Sequence, residues 1–359
     1  MTVPPHVAQA AGLRVGPPLA SGGMGHVFRG TWEGHPVAVK LLAAHLASKD
    51  SARKRFLVAA SVLSRLNHPT IVKVHRVINE GTCLALIMEL VQGPSLETVM
   101  LHERRGPWNR FEVRSVMVPV IEAIAVTHSE RLVHRDLKPA NILMSRSMNE
   151  AWPGTPKIID FDLVRAPEGA KLLKTRQGVR MGTYPYMAPE QFRGVTDVDA
   201  RADVFSLGMM LWQLLAGRLP VRNPSDLEGE LADLYSGRKP IASVGEVAQA
   251  LPPHVVEAVD ASLSLDPDGR PIDAADLLAR LGWEPLRVDD STIEITPPPD
   301  SMEDDLTSQI VSVAEPVADD WEPDPWDQLP QPQKSTGMIW AVLLLGLVLS
   351  ALFAAVASG

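Results

Sequence analysis

The fold of this chain is decided by two short stretches of sequence, HRDLKPAN at residues 134–141 and DFD at residues 160–162. The first stretch contains a carboxylate at Asp136, a cation two positions later at Lys138 and an amide at Asn141. The second stretch begins with a further carboxylate. Carboxylate and amide oxygens are hard ligands, which Mg²⁺ prefers while it shares its shell with phosphates. The spacing therefore indicates a site that handles phosphate groups together with a metal ion.

Composition and charge narrow the class of protein. The single cysteine, Cys83, excludes an intramolecular disulfide and points to a reducing compartment. The chain has 43 acidic and 34 basic residues, but 13 of the acidic and only 2 of the basic ones lie in residues 286–336. The rest of the chain is close to neutral. A nucleic-acid-binding protein usually carries a basic surplus, so no nucleic-acid partner is expected.

The chain divides by composition into an N-terminal tail, a folded domain, a linker and an apolar C-terminal segment. Residues 1–12 have neither the basic start nor the apolar run of a signal peptide, so we expect the N-terminus to stay in the cytosol. Residues 13–285 have the mixed pattern of a folded domain. Residues 286–336 are acidic and rich in proline, with few core-forming residues, which predicts a disordered linker.

The domain pattern predicts strands first and helices later. Residues 36–41 and 83–88 are short apolar runs bounded by turn residues, which is typical of strands. Residues 113–130 and 203–215 have the apolar spacing and the length of helices. The domain is therefore predicted to belong to the α+β class.

The last segment, residues 338–358, contains 21 residues without a charge. As a helix it would be about 31 Å long, which matches the hydrocarbon core of a bilayer. We therefore predict one C-terminal transmembrane helix that anchors the domain at the cytoplasmic face of the inner membrane; the alternative is a buried helix or an apolar tail. Small residues recur at every fourth position and offer a face for a homodimer: Gly346, Ser350, Ala354 and Ser358.

Residues 19–190 resemble the eukaryotic-like protein kinases, and GGMG at residues 22–25 and LNHP at residues 66–69 are similar to the bacterial Ser/Thr branch. Several such motifs in the right order are jointly specific. The resemblance covers most of the predicted domain. It implies the two-lobed protein kinase fold, with a small β-rich N-lobe at residues 13–90 and a larger helical C-lobe at residues 91–285.

The resemblance also implies the reaction. The γ-phosphate of ATP is transferred to Ser or Thr hydroxyls of protein substrates, with autophosphorylation expected, and Mg²⁺ or alternatively Mn²⁺ serves as the metal. Asp136 orients the substrate hydroxyl and Lys138 steadies the transferring phosphate, while Asn141 and Asp160 hold the metal. Each residue alone has an ordinary explanation, because an aspartate near a lysine is usually a surface pair and an asparagine is often a cap.

The nucleotide site follows from the same resemblance. Lys40 holds the α- and β-phosphates, and Gly22, Gly23 and Gly25 let the backbone approach them. Apolar residues line the adenine pocket, and the hinge backbone pairs with the base. These pocket and hinge residues are Leu19, Val27, Ala38, Met88, Leu143, Glu89 and Val91. Core packing would explain the apolar ones equally well.

Residues 182–190 resemble the end of an activation segment. Thr183 occupies the position of a threonine that bridges the catalytic aspartate and lysine, which favours Ser and Thr over Tyr as acceptors. Thr175 is the candidate phosphorylation site, since Arg135 is placed to pair with its phosphate; the alternative is an unmodified loop threonine.

Two further matches concern the framework of the C-lobe. Glu190 is expected to pair with Arg270, and Asp203 is expected to cap the catalytic loop. Both are structural rather than catalytic roles.

Three positions depart from the family pattern. Ala20 replaces the first glycine of the Gly-rich loop, Ala59 stands where a helix glutamate pairs with Lys40, and Asp162 replaces the glycine after Asp160-Phe161. One acid is lost and one is gained at the same site. The hypothesis is that Asp162 partly replaces the missing glutamate by holding Lys40 or a second metal.

The alternative is drift in a protein that needs little or no catalysis. It leads to a second function class, a pseudokinase-like, membrane-tethered scaffold that binds nucleotide without transferring phosphate. The retention of Lys40, Asp136, Lys138, Asn141 and Asp160 favours the enzyme.

Overall fold

The computed structural model describes residues 3–145, 154–161, 184–195, 197–221, 226–248, 251–283 and 294–295. The chain divides into two compact units, Met1–Val313 and Ala314–Gly359, and every described residue lies in the first. The predicted membrane segment, residues 338–358, lies outside the described residues. Among the residues that are described, no helix has the length and apolarity needed to cross a membrane.

A five-stranded antiparallel sheet forms the N-lobe, with strand order β1-β2-β3-β6-β5. The strands are β1 (Leu13–Gly22), β2 (Gly25–Trp32), β3 (His35–Leu42), β5 (Val74–Glu80) and β6 (Cys83–Glu89). A two-residue turn joins β2 to β3, and both turn residues, Glu33 and Gly34, have positive φ angles of 51° and 80°. Such turns match the twist of a hairpin. The strands predicted at residues 36–41 and 83–88 are confirmed as β3 and β6.

Both faces of this sheet are covered. Helix α3 (Asp50–Arg65) places Phe56 and Leu63 in the same buried cluster as Leu84 and Leu86 of β6. The other face is covered by α1 (Pro5–Ala10), which lies within the predicted N-terminal tail; its Val7 is buried against Phe28 and Val39. The short helix α2 (Ala44–Ala47) joins the sheet to α3.

Two long helices organise the C-lobe. Helix α5 (Arg110–Ser129) begins with a capping box, in which the Asn109 side chain accepts from the Glu112 N–H and the Glu112 carboxylate accepts from the Asn109 N–H. Helix α7 (Ala200–Ala216) has apolar residues all round and is almost entirely buried, so it forms the centre of the lobe. Both predicted helices are confirmed, although α5 begins three residues earlier than residues 113–130.

The remaining elements complete the C-lobe. They are α4 (Leu96–Thr98), β7 (Ile142–Ser145), β8 (Thr155–Ile158), α6 (Pro189–Phe192), α8 (Leu227–Tyr235), α9 (Val244–Val247), α10 (Pro253–Ser262) and α11 (Ala274–Arg280). The hairpin of β7 and β8 carries the site residues on the two chain segments that flank it.

One short strand lies within the segment that the sequence predicts to be disordered. Strand β9 (Glu294–Ile295) pairs antiparallel with β4 (Leu66–Asn67), which directly follows α3. In the surrounding sequence Thr292-Ile293-Glu294-Ile295-Thr296, polar residues alternate with isoleucine, and four of the five residues are β-branched. That alternation favours a strand, and composition alone does not reveal it.

Candidate active site

The catalytic loop holds the carboxylate of Asp136 in a fixed orientation. Lys138 Nζ donates to Asp136 Oδ2 at 2.8 Å, and Asn141 Nδ2 donates to the same oxygen at 3.0 Å. Asn141 Nδ2 also donates to the backbone oxygen of Asp136 at 2.7 Å. Because the amide nitrogen of Asn141 serves as the donor in both bonds, its Oδ1 is the atom suited to a metal ion.

Asp203 of α7 anchors the backbone of this loop by hydrogen bonds. Its side chain is fully buried, and its two oxygens accept from the backbone N–H groups of His134 at 2.7 Å and Arg135 at 2.8 Å. These bonds hold Arg135 at φ 67°, a conformation that costs free energy in a residue other than glycine. Asp203 therefore fixes the backbone that carries Asp136.

A histidine completes the environment of Asp203. His128 Nδ1 accepts from the N–H of Ala274 at 3.2 Å, so its Nε2 carries the hydrogen donated to Asp203 Oδ2 at 3.0 Å. Burial alone would raise the pKa of Asp203, but its contacts with His128 and His134 outweigh burial and hold the pKa below its ordinary value. Asp203 is thus a carboxylate at neutral pH.

His134 links the catalytic loop to the second motif. Its Nδ1 accepts from the Asp136 N–H at 3.3 Å, and its Nε2 donates to the backbone oxygen of Ile159 at 3.1 Å. Its ring packs on Phe161 with centroids 4.4 Å apart. Complete burial lowers the pKa of His134, so the ring is neutral. The residues on either side of β7 and β8 are in this way held together as one unit.

Lys40 of β3 bonds directly to Asp160. Lys40 Nζ donates to Asp160 Oδ1, and the backbone of Asp160 has φ 66°. Loss of water around Asp160 would raise its pKa, but the charge and hydrogen bond of Lys40 lower it below its ordinary value. Ala59 lies buried in α3, 8% exposed, and offers no carboxylate to Lys40. The lysine is therefore paired with a candidate metal ligand.

The glycines of the loop between β1 and β2 have different environments. A Cβ at Gly22 or Gly23 would meet no other atom within 4 Å, so these positions border open space. Gly25 has φ 148°, and a Cβ there would overlap the carbonyl oxygen of Leu41 in β3. Gly25 is therefore required by the packing of the sheet, whatever its role toward phosphates.

Part of the predicted adenine pocket forms one small apolar cluster. Ala38 and Met88 are buried in it together with Val72, and Val27 and Val91 pack against them. Sequence reasoning missed Val72, as well as Ile159, which also packs on this cluster. Leu19 is 52% exposed, and Leu143 of β7 is half-buried; neither belongs to the cluster.

The hinge residue Glu89 directs its side chain to the Lys157 ammonium group and to the backbone N–H of Lys73. Its Oε2 accepts from Lys157 Nζ at 2.9 Å and from the Lys73 N–H at 3.2 Å, and its own N–H donates to the Lys73 oxygen at 2.9 Å. The Glu89 side chain is thus used to join β6 to β8.

Glu190 and Arg270 form a buried brace in the C-lobe. Arg270 Nη1 and Nη2 donate to the two Glu190 oxygens at 2.7 and 2.9 Å, a bidentate geometry that fixes both side chains. Arg270 also donates to the backbone oxygens of Ser264 and Arg201 and lies over the Phe205 ring. Three other site predictions, Asp162, Thr175 and Thr183, lie outside the described residues.

Comparison with known proteins gives the family. The protein kinase domain family matches residues 13–279, so the chain belongs to that family. Serine/threonine-protein kinase PknL of Mycobacterium bovis is 36% identical over 258 residues, which cover 71% of this chain and 61% of PknL. Serine/threonine-protein kinase PkaA of Streptomyces coelicolor is 35% identical over 248 residues, which cover 69% of this chain and 42% of PkaA. The chain thus spans about three fifths of PknL and less of PkaA.

The solved structures agree on the fold. The kinase domain of Mycobacterium tuberculosis PknI superposes with a TM-score of 0.57 at 24% identity, covering 76% of this chain and 96% of that domain. Rad53 1-466 in complex with AMP-PNP superposes with a TM-score of 0.56 at 24% identity, covering 75% of this chain and 65% of Rad53. The described residues therefore have the two-lobed protein kinase fold, with a β-sheet N-lobe and a helical C-lobe.

We expect Asp203→Asn to destabilise the domain by about 3 kcal/mol at pH 7, because an amide nitrogen would face N–H donors of the catalytic loop. The folded-state pKa of Asp203 is lowered, so its stabilisation is complete above the unfolded pKa of about 3.9. It is lost as the pH falls through the lower folded-state value. Chemical denaturation of the full-length protein from pH 7 downward measures the difference.

The matched control for that experiment is Asp199→Asn, since Asp199 caps the same helix and asparagine is an equally good cap. Equal loss of stability from the two substitutions at pH 7 would contradict the anchoring role of Asp203.

Proposed function

We propose that this chain is a protein kinase that transfers the γ-phosphoryl group of ATP to Ser and Thr hydroxyls of proteins, itself included. The observation that carries the proposal is the fixed geometry of the catalytic loop, in which Lys138 and Asn141 orient the Asp136 carboxylate. Phosphoryl transfer needs positioning and charge neutralisation more than covalent help from the protein. The loop supplies both.

Each residue has a distinct part in the proposed reaction. Asp136 receives a hydrogen bond from the substrate hydroxyl and takes up its proton as the hydroxyl oxygen bonds to the γ-phosphorus, while the bond from that phosphorus to the bridging oxygen breaks and ADP leaves. Lys138 and Lys40 neutralise phosphate charge, Lys138 beside Asp136 and Lys40 from the N-lobe. Oxygens of Asn141 and Asp160 suit Mg²⁺, or alternatively Mn²⁺, which when bound would offset charge on the phosphates.

The acceptor specificity and its control rest on relatives and on the sequence. PknL and PkaA are named serine/threonine-protein kinases, which supports Ser and Thr as acceptors. Thr183 contributes to this proposal through its position in the activation segment. Thr175 is proposed as the activating phosphorylation site, read by Arg135.

Asp136→Asn tests the catalytic role directly. We expect its autophosphorylation rate with Mg-ATP to fall about 10³-fold, the range lost with a general base, while nucleotide affinity changes little. Incorporation of labelled phosphate measures the rate, and fluorescence-detected nucleotide binding provides the control. If the unmodified protein and Asp136→Asn are equally silent toward themselves and toward generic protein substrates, the kinase proposal fails.

A second candidate, a nucleotide-binding scaffold without catalysis, is favoured by the environment of Lys40. Helix α3 carries Ala59 where the family has a glutamate, and Lys40 bonds to the candidate metal ligand Asp160 instead. That contact must be shared or released for Asp160 to hold a metal.

For the kinase candidate, Asp162 is proposed to compensate for the missing glutamate by holding Lys40 or a second metal.

Ala59→Glu tests whether the missing glutamate weakens the proposed kinase. A carboxylate on α3 competes with Asp160 for Lys40, so we expect kcat/KM for Mg-ATP to rise about tenfold, equivalent to about 1.4 kcal/mol. The control is Val58→Glu, which adds the same charge to the same helix at a residue that is 57% exposed. Equal effects of both variants, or loss of stability without gain in kcat/KM for Ala59→Glu, would contradict the proposal that the missing glutamate weakens the kinase.

Location is a further part of the proposal. Residues 338–358 anchor the chain in the inner membrane, the acidic linker spaces the domain from the bilayer, and the domain faces the cytoplasm, where ATP is available. The small residues from Gly346 to Ser358 form a homodimer contact between two such helices.

Deletion of residues 338–358 tests the anchor. We expect the shortened protein to move from the membrane fraction to the soluble fraction, because the uncharged 21-residue segment supplies its affinity for the bilayer. Deletion of residues 309–329, which removes the same length from the linker, is the control and should leave the protein in the membrane fraction. Membrane retention after the first deletion would rule out the anchor.

A further inference from the structure

The segment that follows the kinase domain returns to the N-lobe. Strand β9 lies eleven positions after Trp283, the last residue described in the C-lobe. Its partner β4 belongs to the N-lobe, with Ile295 opposite Leu66 and Glu294 opposite Asn67. Leu66 is 5% exposed and belongs to the main buried core. The pairing therefore adds a strand at a residue that is fixed in the domain interior.

The position of β4 gives this pairing a mechanical consequence. Leu66 is the C-terminal cap residue of α3, so the added strand is attached at the end of that helix. In this chain α3 carries Ala59 and has no carboxylate there to tie it to Lys40. Phe56 and Leu63 hold the helix by apolar packing alone at these points. Backbone pairing at Leu66 and Asn67 supplies a second, directional restraint.

A basic cleft is lined in part by both residues of β4, Leu66 and Asn67. The cavity has a volume of about 250 Å³, and its lining includes Asn67, His68, Lys73, His75, Glu89 and Lys157. Glu89, the acid in this lining, already accepts from Lys157 and from the Lys73 N–H. Burial and the charge of Lys157 lower the pKa of His68 to about 4, so His68 adds no charge at neutral pH. The two lysines leave the cleft with a positive balance.

The charge of the returning segment is opposite to that of the cleft. Residues 286–336 hold 13 acidic and 2 basic residues, and Asp289 and Asp290 come shortly before β9. A strand that adds to an exposed backbone edge gains affinity from main-chain hydrogen bonds, and its side-chain chemistry sets which edge it chooses. In this chain β9 pairs with β4, and the acidic composition of its segment is complementary to the two lysines of the cleft.

We infer that the acidic segment after the kinase domain binds that domain in cis, through pairing of β9 with β4, and that this docking restrains the C-terminal end of α3. The segment is thus a strap between the linker and the C-terminal end of α3. The inference concerns docking and helix position, so it holds whether or not the chain catalyses phosphoryl transfer.

A disulfide trap tests the docking. Residues directly opposite each other in an antiparallel pair have Cα atoms about 4.5–5.5 Å apart, within the range of about 4.4–6.8 Å that a disulfide accepts. The variant is full-length Asn67→Cys with Glu294→Cys, and the one natural cysteine, Cys83, is buried. The control is Asn67→Cys with Ser308→Cys. Its second thiol also lies in the acidic segment, but residue 308 is not paired with residue 67 in the β4–β9 register.

We expect mild oxidation to link the first pair within one molecule at least about tenfold faster than the control pair, because docking raises the effective concentration of the thiols. Non-reducing electrophoresis followed by peptide mapping measures both rates. Equal rates would overturn the docking. A disulfide between two molecules would assign the strand to a second copy and would overturn docking in cis.

Hydrogen exchange tests the restraint on α3. Ile295→Pro removes a backbone N–H from β9, and Ile310→Pro is the control elsewhere in the linker. We expect amides in the last two turns of α3 to exchange about fivefold faster in Ile295→Pro, the effect of losing one typical hydrogen bond. Unchanged exchange relative to Ile310→Pro would overturn the restraint. Neither readout requires nucleotide or activity, so a failure here is separate from failure of the proposed kinase reaction.

Discussion

The buried carboxylate of Asp203 is the interaction on which the site depends. It lies in the central helix α7, yet its oxygens accept from backbone groups that immediately precede Asp136. A buried charge of this kind is tolerable only because its hydrogen bonds are satisfied. His128 of α5 donates to this carboxylate and also accepts from the Ala274 N–H at the start of α11. Asp203 therefore joins the catalytic loop to α5 and, through His128, to α11. The orientation of Asp136 is therefore a property of the lobe core.

The N-lobe contributes Lys40 to the site, and this lysine is held by a contact with the other lobe. Lys40 reaches Asp160 across 120 positions of sequence, and this contact joins β3 to the segment that follows β8. Where the family pattern has a lysine–glutamate pair within the N-lobe, this chain uses a pair that crosses between the lobes. Helix α3 is therefore not tied to Lys40 through a carboxylate at residue 59; it is held by the packing of Phe56 and Leu63 and by hydrogen bonds from Arg53 to Asn79 and to the Gly81 oxygen.

The sequence predicted those features that rest on local pattern. Apolar runs bounded by turns identified β3 and β6, and helical spacing identified α5 and α7. The start of α5 was placed too late because its capping box, Asn109 and Glu112, is polar and precedes the apolar pattern. The family resemblance named Asp136, Lys138 and Asn141, but not His128 or Val72, whose roles arise from contacts between distant segments. The partner of Lys40 was likewise out of reach, because the pattern showed only that the glutamate was missing.

The three glycines of the loop between β1 and β2 belong to one motif but have different structural environments. The resemblance gave Gly22, Gly23 and Gly25 one shared role, whereas the structure divides them. Only Gly25 is forced to be glycine by the protein itself, since a side chain there would overlap β3. Gly22 and Gly23 border open space, so protein packing gives no reason for glycine at either position. A group that approaches the backbone from outside, as a phosphate would in a phosphate-binding loop, would supply such a reason.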